Sequence, residues 1–148
     1  MKTTDINQIL KNHPYTRGQF LGTFPCDRIP SKPTPYTCFV SNTDPHYLPG
    51  QHWVAFYVDH EGKVFYFDPY GIPPINRYHL NFLNRTHWSY NCKQLQSNYS
   101  ETCGYLCVNF LIESCRLQSP HQTLRNVLNL PTNFTDRILN RRREVYHK

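Results

Sequence analysis

The chain has 148 residues, of which 39% are hydrophobic and 15% aromatic, so we expect a single domain over residues 1 to 148. No run approaches the roughly 18 apolar residues that a membrane span needs, and the first residues lack the apolar core of a secretory signal. These features predict a soluble, intracellular protein with no membrane partner. Lysine and arginine number 16 against 10 aspartate and glutamate, which is only a modest positive excess.

The predicted elements mix helices and strands along the chain. Asp5 is a candidate cap for a short helix over residues 5 to 13, and a proline-rich loop at 30 to 36 leads into a strand over 36 to 43. The further predicted elements are strands over 52 to 59, 63 to 69 and, more weakly, 89 to 96, a helix beginning near Thr102 or Cys103, and helices around 121 to 129 and 134 to 146.

The strands over 52 to 59 and 63 to 69 are joined by the loop "HEG" and predict a hairpin. Both strands are apolar at nearly every position, which indicates that both faces of the sheet are covered. We therefore expect an α+β fold in which a central sheet packs against helices. With this loop, paired residue numbers should sum to 121 or 122, which places His52 opposite residue 69 or 70 and close to Asp68.

The six cysteines include no closely spaced CxxC pair, so neither a zinc site nor any other metal or cofactor is predicted. Because the chain shows no export signal, reduced thiols are expected. The helix after residue 102 has one broad apolar face and should form part of the core. That face consists of Leu106, Cys107, Phe110, Leu111, Ser114 and Cys115.

Cys103 lies in the first turn of this helix, which Ser100 or Thr102 can cap. Unpaired backbone N–H groups and the helix dipole favour a thiolate there. Gly104 allows a close approach by another backbone or a substrate. The alternative is that Cys103 is one more small buried residue, so its partners must decide between the two.

A cysteine nucleophile needs an imidazole within reach and a third group that orients the imidazole. The hairpin supplies both in His52 and Asp68. The other histidines, at positions 13, 46, 60, 79, 87, 121 and 147, lie in polar or terminal contexts where a solvated side chain is expected. An oxyanion formed during acyl transfer also needs a donor, and Gln96 or Gln94 precedes the cysteine at a suitable distance.

The chain resembles the adenovirus-type maturation proteases, cysteine endopeptidases related in fold to the SUMO- and ubiquitin-like-protein proteases. The resemblance rests on collinear motifs: "FLGTF" with "DRIP" at 20 to 30, "FVSNT" at 39 to 43, "HWVAF" at 52 to 56, "YFDPYG" at 66 to 71 and "QSNYSETCGYLC" at 96 to 107. It implies a papain-like, adenain-like fold with a mixed sheet and a helix that carries the nucleophile. It also implies that His52 is the general base, Asp68 orients it, Cys103 attacks and Gln96 serves the oxyanion hole.

Some features depart from that family's pattern. Asp68 stands where adenovirus enzymes usually have glutamate, and the chain is shorter than theirs. Arg85 occupies the position at which their activating peptide forms a disulfide, which argues against peptide activation through that bond. DNA stays open as an activator because the C-terminal end is basic, although a solvated helix face explains the same charges slightly better. The basic residues concerned are Arg137, Arg141, Arg142 and Arg143.

The sequence thus predicts a monomeric cysteine endopeptidase from a virus or virus-derived element, acting in the host nucleus and the virion. Trp53, Gly104 and Tyr105 would line a narrow groove, and the family resemblance implies glycine-rich cleavage sites in capsid or core precursor polypeptides. Three alternatives stay open. These are a host-directed deubiquitinase or deSUMOylase, a binding module without catalysis, and a nucleic-acid-binding protein. The sequence shows no evident element that would read bases, which argues against the last of these.

Overall fold

The computed structural model describes residues 1–50, 52–92 and 103–128, except for the side chains of the last two. Four helices and five strands lie in these ranges. They are α1 (Thr3–Asn12), β1 (Phe20–Phe24), β2 (Thr37–Asn42), β3 (Trp53–Val58), β4 (Val64–Phe67), α2 (Arg77–Leu83), β5 (Trp88–Tyr90), α3 (Cys103–Leu117) and α4 (Pro120–Leu128). A short 3₁₀ turn spans Cys26–Arg28. No helix within these ranges is both long and apolar enough to cross a bilayer.

The strands form one mixed sheet in the order β1-β2-β3-β4-β5. The three central strands pair antiparallel, and each edge strand runs parallel to its neighbour. Ala55 pairs with Phe67 and Val58 with Val64, so the residue numbers in the hairpin sum to 122, one of the two predicted registers. The predicted α+β fold with a central mixed sheet is confirmed.

Each face of the sheet packs against its own helices, as the apolar strands predicted. Alternate residues of β2, β3 and β4 contact α1 and α3 on one face, where Tyr57 and Phe67 are almost fully buried. The intervening residues contact α2 on the other face, where the Phe39 and Phe56 rings stack at 4.5 Å. The alternation of side chains along the strands therefore produces two separate apolar layers, one on each face of the sheet. Helix α3 packs in the same layer as α1.

Several predicted elements hold, with differences at their ends. The predicted core face of α3 is buried at every position. Asp5 is not the N-cap of α1; that residue is Lys2, whose backbone N–H donates to the Asp5 carboxylate at 3.0 Å. The weaker strand is shorter than predicted and ends at Tyr90. The predicted helix over 134 to 146 lies outside the described residues.

His79 corrects the prediction that it is solvated. It lies on α2, which the sequence did not predict, and its side chain is fully buried between Phe56 and Tyr66. Its Nε2 bonds the Ser41 hydroxyl at 2.8 Å, and the Asn76 amide lies 3.0 Å from its Nδ1. Burial lowers the pKa of His79 to about 3, so the imidazole is neutral and serves packing.

The turn between β3 and β4 depends on the backbone of Gly62, which has φ +82°. Replacing Gly62 with alanine is expected to lower the free energy of unfolding by about 1 kcal/mol, because a Cβ disfavours this conformation. Gly18 is the matched control: both sites have open space around a new Cβ, but only Gly62 has positive φ. Urea denaturation should therefore show Gly18→Ala to be neutral or slightly stabilising. Equal destabilisation of both variants would contradict this explanation.

Candidate active site

Three separate elements bring His52, Asp68 and Cys103 together. His52 directly precedes β3, Asp68 directly follows β4, and Cys103 begins the described part of α3. Helix α3 is fixed against the start of β3, where the Cys107 thiol donates to the Trp53 carbonyl at 3.3 Å. The hairpin thus supplies an imidazole and a carboxylate, and the helix supplies a thiol.

The His52 imidazole and the Asp68 carboxylate form a close pair. The Nε2 of His52 lies 2.7 Å from Oδ1 of Asp68, and the side chains are only 13% and 4% exposed. Nε2 must carry a proton to donate to the carboxylate, so in the neutral ring Nδ1 keeps the lone pair that can accept a proton. The hydrogen-bond network therefore assigns the tautomer that a general base requires.

The Cys103 side chain is the second partner of His52. Burial by itself lowers the pKa of His52, but the hydrogen bonds and negative charges of Asp68 and Cys103 outweigh it and raise the pKa from 6.5 to about 9. The imidazole is thus held protonated at neutral pH. A protonated imidazole beside a thiol favours the thiolate, which is the form that attacks a carbonyl.

This raised pKa makes stability depend on pH. Because the pKa of His52 is about 9 in the folded state against 6.5 unfolded, its stabilising effect is complete below pH 6.5 and is lost as the pH rises towards 9. The difference in unfolding free energy between wild type and His52→Gln should therefore be about 3 kcal/mol larger at pH 6 than at pH 9.5. A difference for His52→Gln that is constant across this range would contradict the assigned pKa.

Asn91 holds Asp68 in place and was missed by the sequence analysis. Its side-chain oxygen accepts from the Asp68 N–H at 2.9 Å, and its amide donates to the Asp68 carbonyl at 2.6 Å. Both residues are buried, so the side chain of Asn91 acts like a short piece of paired strand beyond the end of β5. The only signal in the sequence was an asparagine within the weakly predicted strand over 89 to 96.

Tyr70 is a second residue that the sequence analysis missed. Its ring stacks on the His52 imidazole with centroids 4.6 Å apart, and its backbone N–H donates to Asp68 Oδ1 at 2.7 Å. Burial, and then the negative charges of Cys103 and Asp68, raise the pKa of its phenol. Tyr70 therefore covers one face of the imidazole and restricts its rotation.

The predicted groove residues lie around the start of α3. Tyr105 is 41% exposed, and Trp53 is partly buried beside the helix. Gly104 is closely approached, but by the protein itself: a Cβ there would lie 3.0 Å from Met1 Cβ and 3.4 Å from Trp53 Cδ1. The small residue thus lets Met1 and the indole ring pack against the turn that carries Cys103.

The remaining site predictions fall outside the described residues. They comprise the oxyanion candidates Gln96 and Gln94, the helix caps Ser100 and Thr102, and the basic residues Arg137, Arg141, Arg142 and Arg143. Within the described ranges, no group of three or more histidine, cysteine, aspartate or glutamate side chains is arranged to hold a metal ion.

Comparison with known proteins finds similarity in sequence to a viral protein that is named as a thiol protease. No protein-family model matches the chain. It is 30% identical over 141 residues to "Putative thiol protease R355" of Acanthamoeba polyphaga mimivirus, an alignment that covers 76% of this chain and 46% of the relative. The chain thus spans less than half the length of the curated relative that it matches.

Two solved structures share the fold. The crystal structure of the ASFV pS273R protease superposes with a TM-score of 0.62 at 16% identity, covering 99% of this chain and 67% of that one. Its selenomethionine form gives a TM-score of 0.51 at 20% identity, covering 75% and 44%. The chain is therefore similar in sequence to a protein named as a viral thiol protease, and it shares the fold of a viral protease.

Proposed function

We propose that this chain is a cysteine endopeptidase in which Cys103 is the nucleophile, His52 the general base and Asp68 the group that orients His52. The observation that carries the proposal is the position of the imidazole, which bonds a buried carboxylate through Nε2 and has the Cys103 thiol as its other partner. Similarity in sequence to a thiol protease and in fold to a viral protease supports the same chemistry.

The reaction follows from this arrangement. The proton of the Cys103 thiol rests on His52, as the raised pKa of the imidazole favours, and the thiolate sulfur attacks the carbonyl carbon of the scissile peptide bond. The imidazolium then gives its proton to the leaving amine as the C–N bond breaks, which leaves a thioester on Cys103. Water attacks the thioester while His52 accepts its proton, and the thiol is released with the carboxylic acid product.

The developing oxyanion requires donors close to the nucleophile. The Cys103 backbone N–H lies in the first turn of α3, where helical N–H groups have no intrahelical partner. We assign the second donor to the Gln96 side chain, as the resemblance to the adenovirus-type maturation proteases implies. A pair of such donors is a frequent way to stabilise the tetrahedral intermediate of acyl transfer.

The proposed substrates are viral precursor polypeptides cleaved at glycine-rich sites, as in adenain-like maturation proteases. Support comes from the close packing of Trp53 against Gly104 and from the exposed ring of Tyr105, since aromatic walls near a nucleophile favour residues without side chains. With this role we propose a monomer that acts in the host nucleus and the virion. DNA bound through the basic C-terminal residues, or a peptide, is the proposed activator.

The experiment is a cleavage survey. The purified protein is incubated, with and without DNA, with denatured capsid and core precursors and with ubiquitin-like conjugates, and new N-termini are identified by mass spectrometry. New termini after glycine-rich sequences that disappear in Cys103→Ala and persist in Cys92→Ala are expected, because Cys92 is exposed and lies outside the site. Cleavage confined to the conjugates would support the deconjugating enzyme instead. Cleavage unchanged in Cys103→Ala would overturn the proposal.

A further inference from the structure

A cleft of about 190 Å³ lies beside the proposed catalytic residues. Residues 44–46 and 48–50, which follow β2, form one wall, and Trp53, the residue after His52, also lines the cleft. The apolar part of the lining includes Phe24, Leu48 and Pro49, and the polar part includes the carboxyl-bearing residue Asp44 and His46. A cleft with apolar walls and a carboxylate suits a ligand that has an apolar body and a cationic end.

The wall of the cleft is fixed where it meets the proposed catalytic site. The Thr43 N–H donates to the His52 carbonyl at 2.9 Å, which closes the base of the loop. The Asn42 side chain accepts from the Asp44 N–H at 2.8 Å and so fixes the backbone of Asp44. These two bonds set the position of the Asp44 backbone relative to His52, and neither of them involves the Asp44 carboxylate.

Two acidic residues lie in this region, and they differ in their partners. The Asp27 carboxylate is already bonded by His46, through the ring Nδ1 and the backbone N–H at 2.8 Å. Among the residues that the structure describes, the Asp44 carboxylate has neither an ion pair nor a hydrogen bond. One carboxylate is thus satisfied within the protein, whereas the other is available to a ligand in the cleft.

We propose that this cleft binds a lysine or arginine side chain of the polypeptide substrate, with the cationic end at Asp44 and the methylene stem along Trp53 and Leu48. Long basic side chains bury their stems against apolar surface while the charged end meets an acidic or aqueous partner. Trp53 links the cleft to the reaction centre, because it lines the cleft, follows His52 along the chain and packs against Gly104, the neighbour of Cys103. The inference rests on the proposed function and adds a basic residue near the scissile bond to its substrate class.

The test measures how fast peptidyl vinyl sulfones modify Cys103. Each probe has a glycine-rich backbone and carries lysine, norleucine or glutamate at one position at a time, so lysine and norleucine differ only in the charged end. At one position the lysine probe should react about fivefold faster than the norleucine probe, as expected for one partly exposed ion pair. That advantage should decrease with added salt.

Variants of Asp44 make the test specific. The lysine advantage should disappear in Asp44→Asn and turn into a preference for the glutamate probe in Asp44→Lys. Glu61→Gln is the matched control, because Glu61 is exposed on the turn after β3 and does not line the cleft; it should retain the full advantage. Modification of Cys103 by iodoacetamide should be equally fast in all four proteins.

Three results would contradict these proposals, and they overturn different parts of them. If iodoacetamide modifies Cys103 selectively but lysine and norleucine probes react equally at every position, the cleft does not recognise a cation. The same conclusion follows if the lysine advantage survives in Asp44→Asn. If iodoacetamide itself fails to select Cys103, the proposed function fails, and the inference fails with it.

Discussion

Replacing His52 with alanine is expected to lower kcat/KM for peptide hydrolysis by about 10³-fold or more. The imidazole is the group that takes the proton from Cys103 and returns it to the leaving amine, and no other described histidine contacts both Asp68 and Cys103. Substrates identified in the cleavage survey supply the assay. The loss should appear mainly in kcat, because the imidazole stabilises the transition state more than it binds the substrate.

The control for this variant is His60→Ala, whose side chain is 63% exposed in the turn after β3. It should retain full activity. Thermal unfolding of His52→Ala should show a folded protein, which separates lost chemistry from lost structure. Activity within a fewfold of wild type in a folded His52→Ala protein would contradict the assignment of the general base.

Replacing Asp68 with asparagine is expected to lower kcat/KM by about 10²- to 10⁴-fold. The amide keeps the shape of the side chain but removes the charge that helps to raise the pKa of His52 to about 9. Without that charge, the imidazolium that forms during the reaction loses its stabilising partner. The bonds from Asn91 reach the backbone of residue 68, so the position should persist in the variant.

A double-mutant cycle checks that the two residues act together. His52→Ala combined with Asp68→Asn should be hardly less active than His52→Ala alone, because Asp68 acts only through the imidazole. The pH profile of Asp68→Asn is a second readout, and its alkaline limb should move to a lower pH. If the two effects multiply in full, Asp68 has a role that is independent of His52.

The hairpin shows how much of the site local patterns predict. A three-residue loop and two apolar strands were enough to limit the register to two choices, and the observed register brings His52 beside Asp68. The apolar face of α3 could be predicted in the same way from helical spacing. These features depend on neighbours along the chain, which is why the sequence contains them.

The supporting contacts depend on residues far apart in the sequence. Asn91 reaches Asp68 from just beyond a strand three residues long, and nothing in its local pattern indicates a partner 23 positions away. Helix α2, which buries His79, is short and polar on one side, so its residues resemble a loop. Met1 and Gly104, which pack together, are also far apart along the chain. Only the folded sheet brings these groups together.

The measurement that tests the central claim most directly is site-resolved alkylation by a limiting amount of a small electrophile. Cys92 is exposed, whereas Cys103 is only partly exposed, so accessibility alone would make Cys92 react first. An activated pair predicts the reverse order, with Cys103 modified first in wild type and falling behind Cys92 in His52→Ala. Modification of Cys92 ahead of Cys103 in wild type, with the order unchanged by the substitution and by added DNA, would contradict the proposed catalytic role of Cys103.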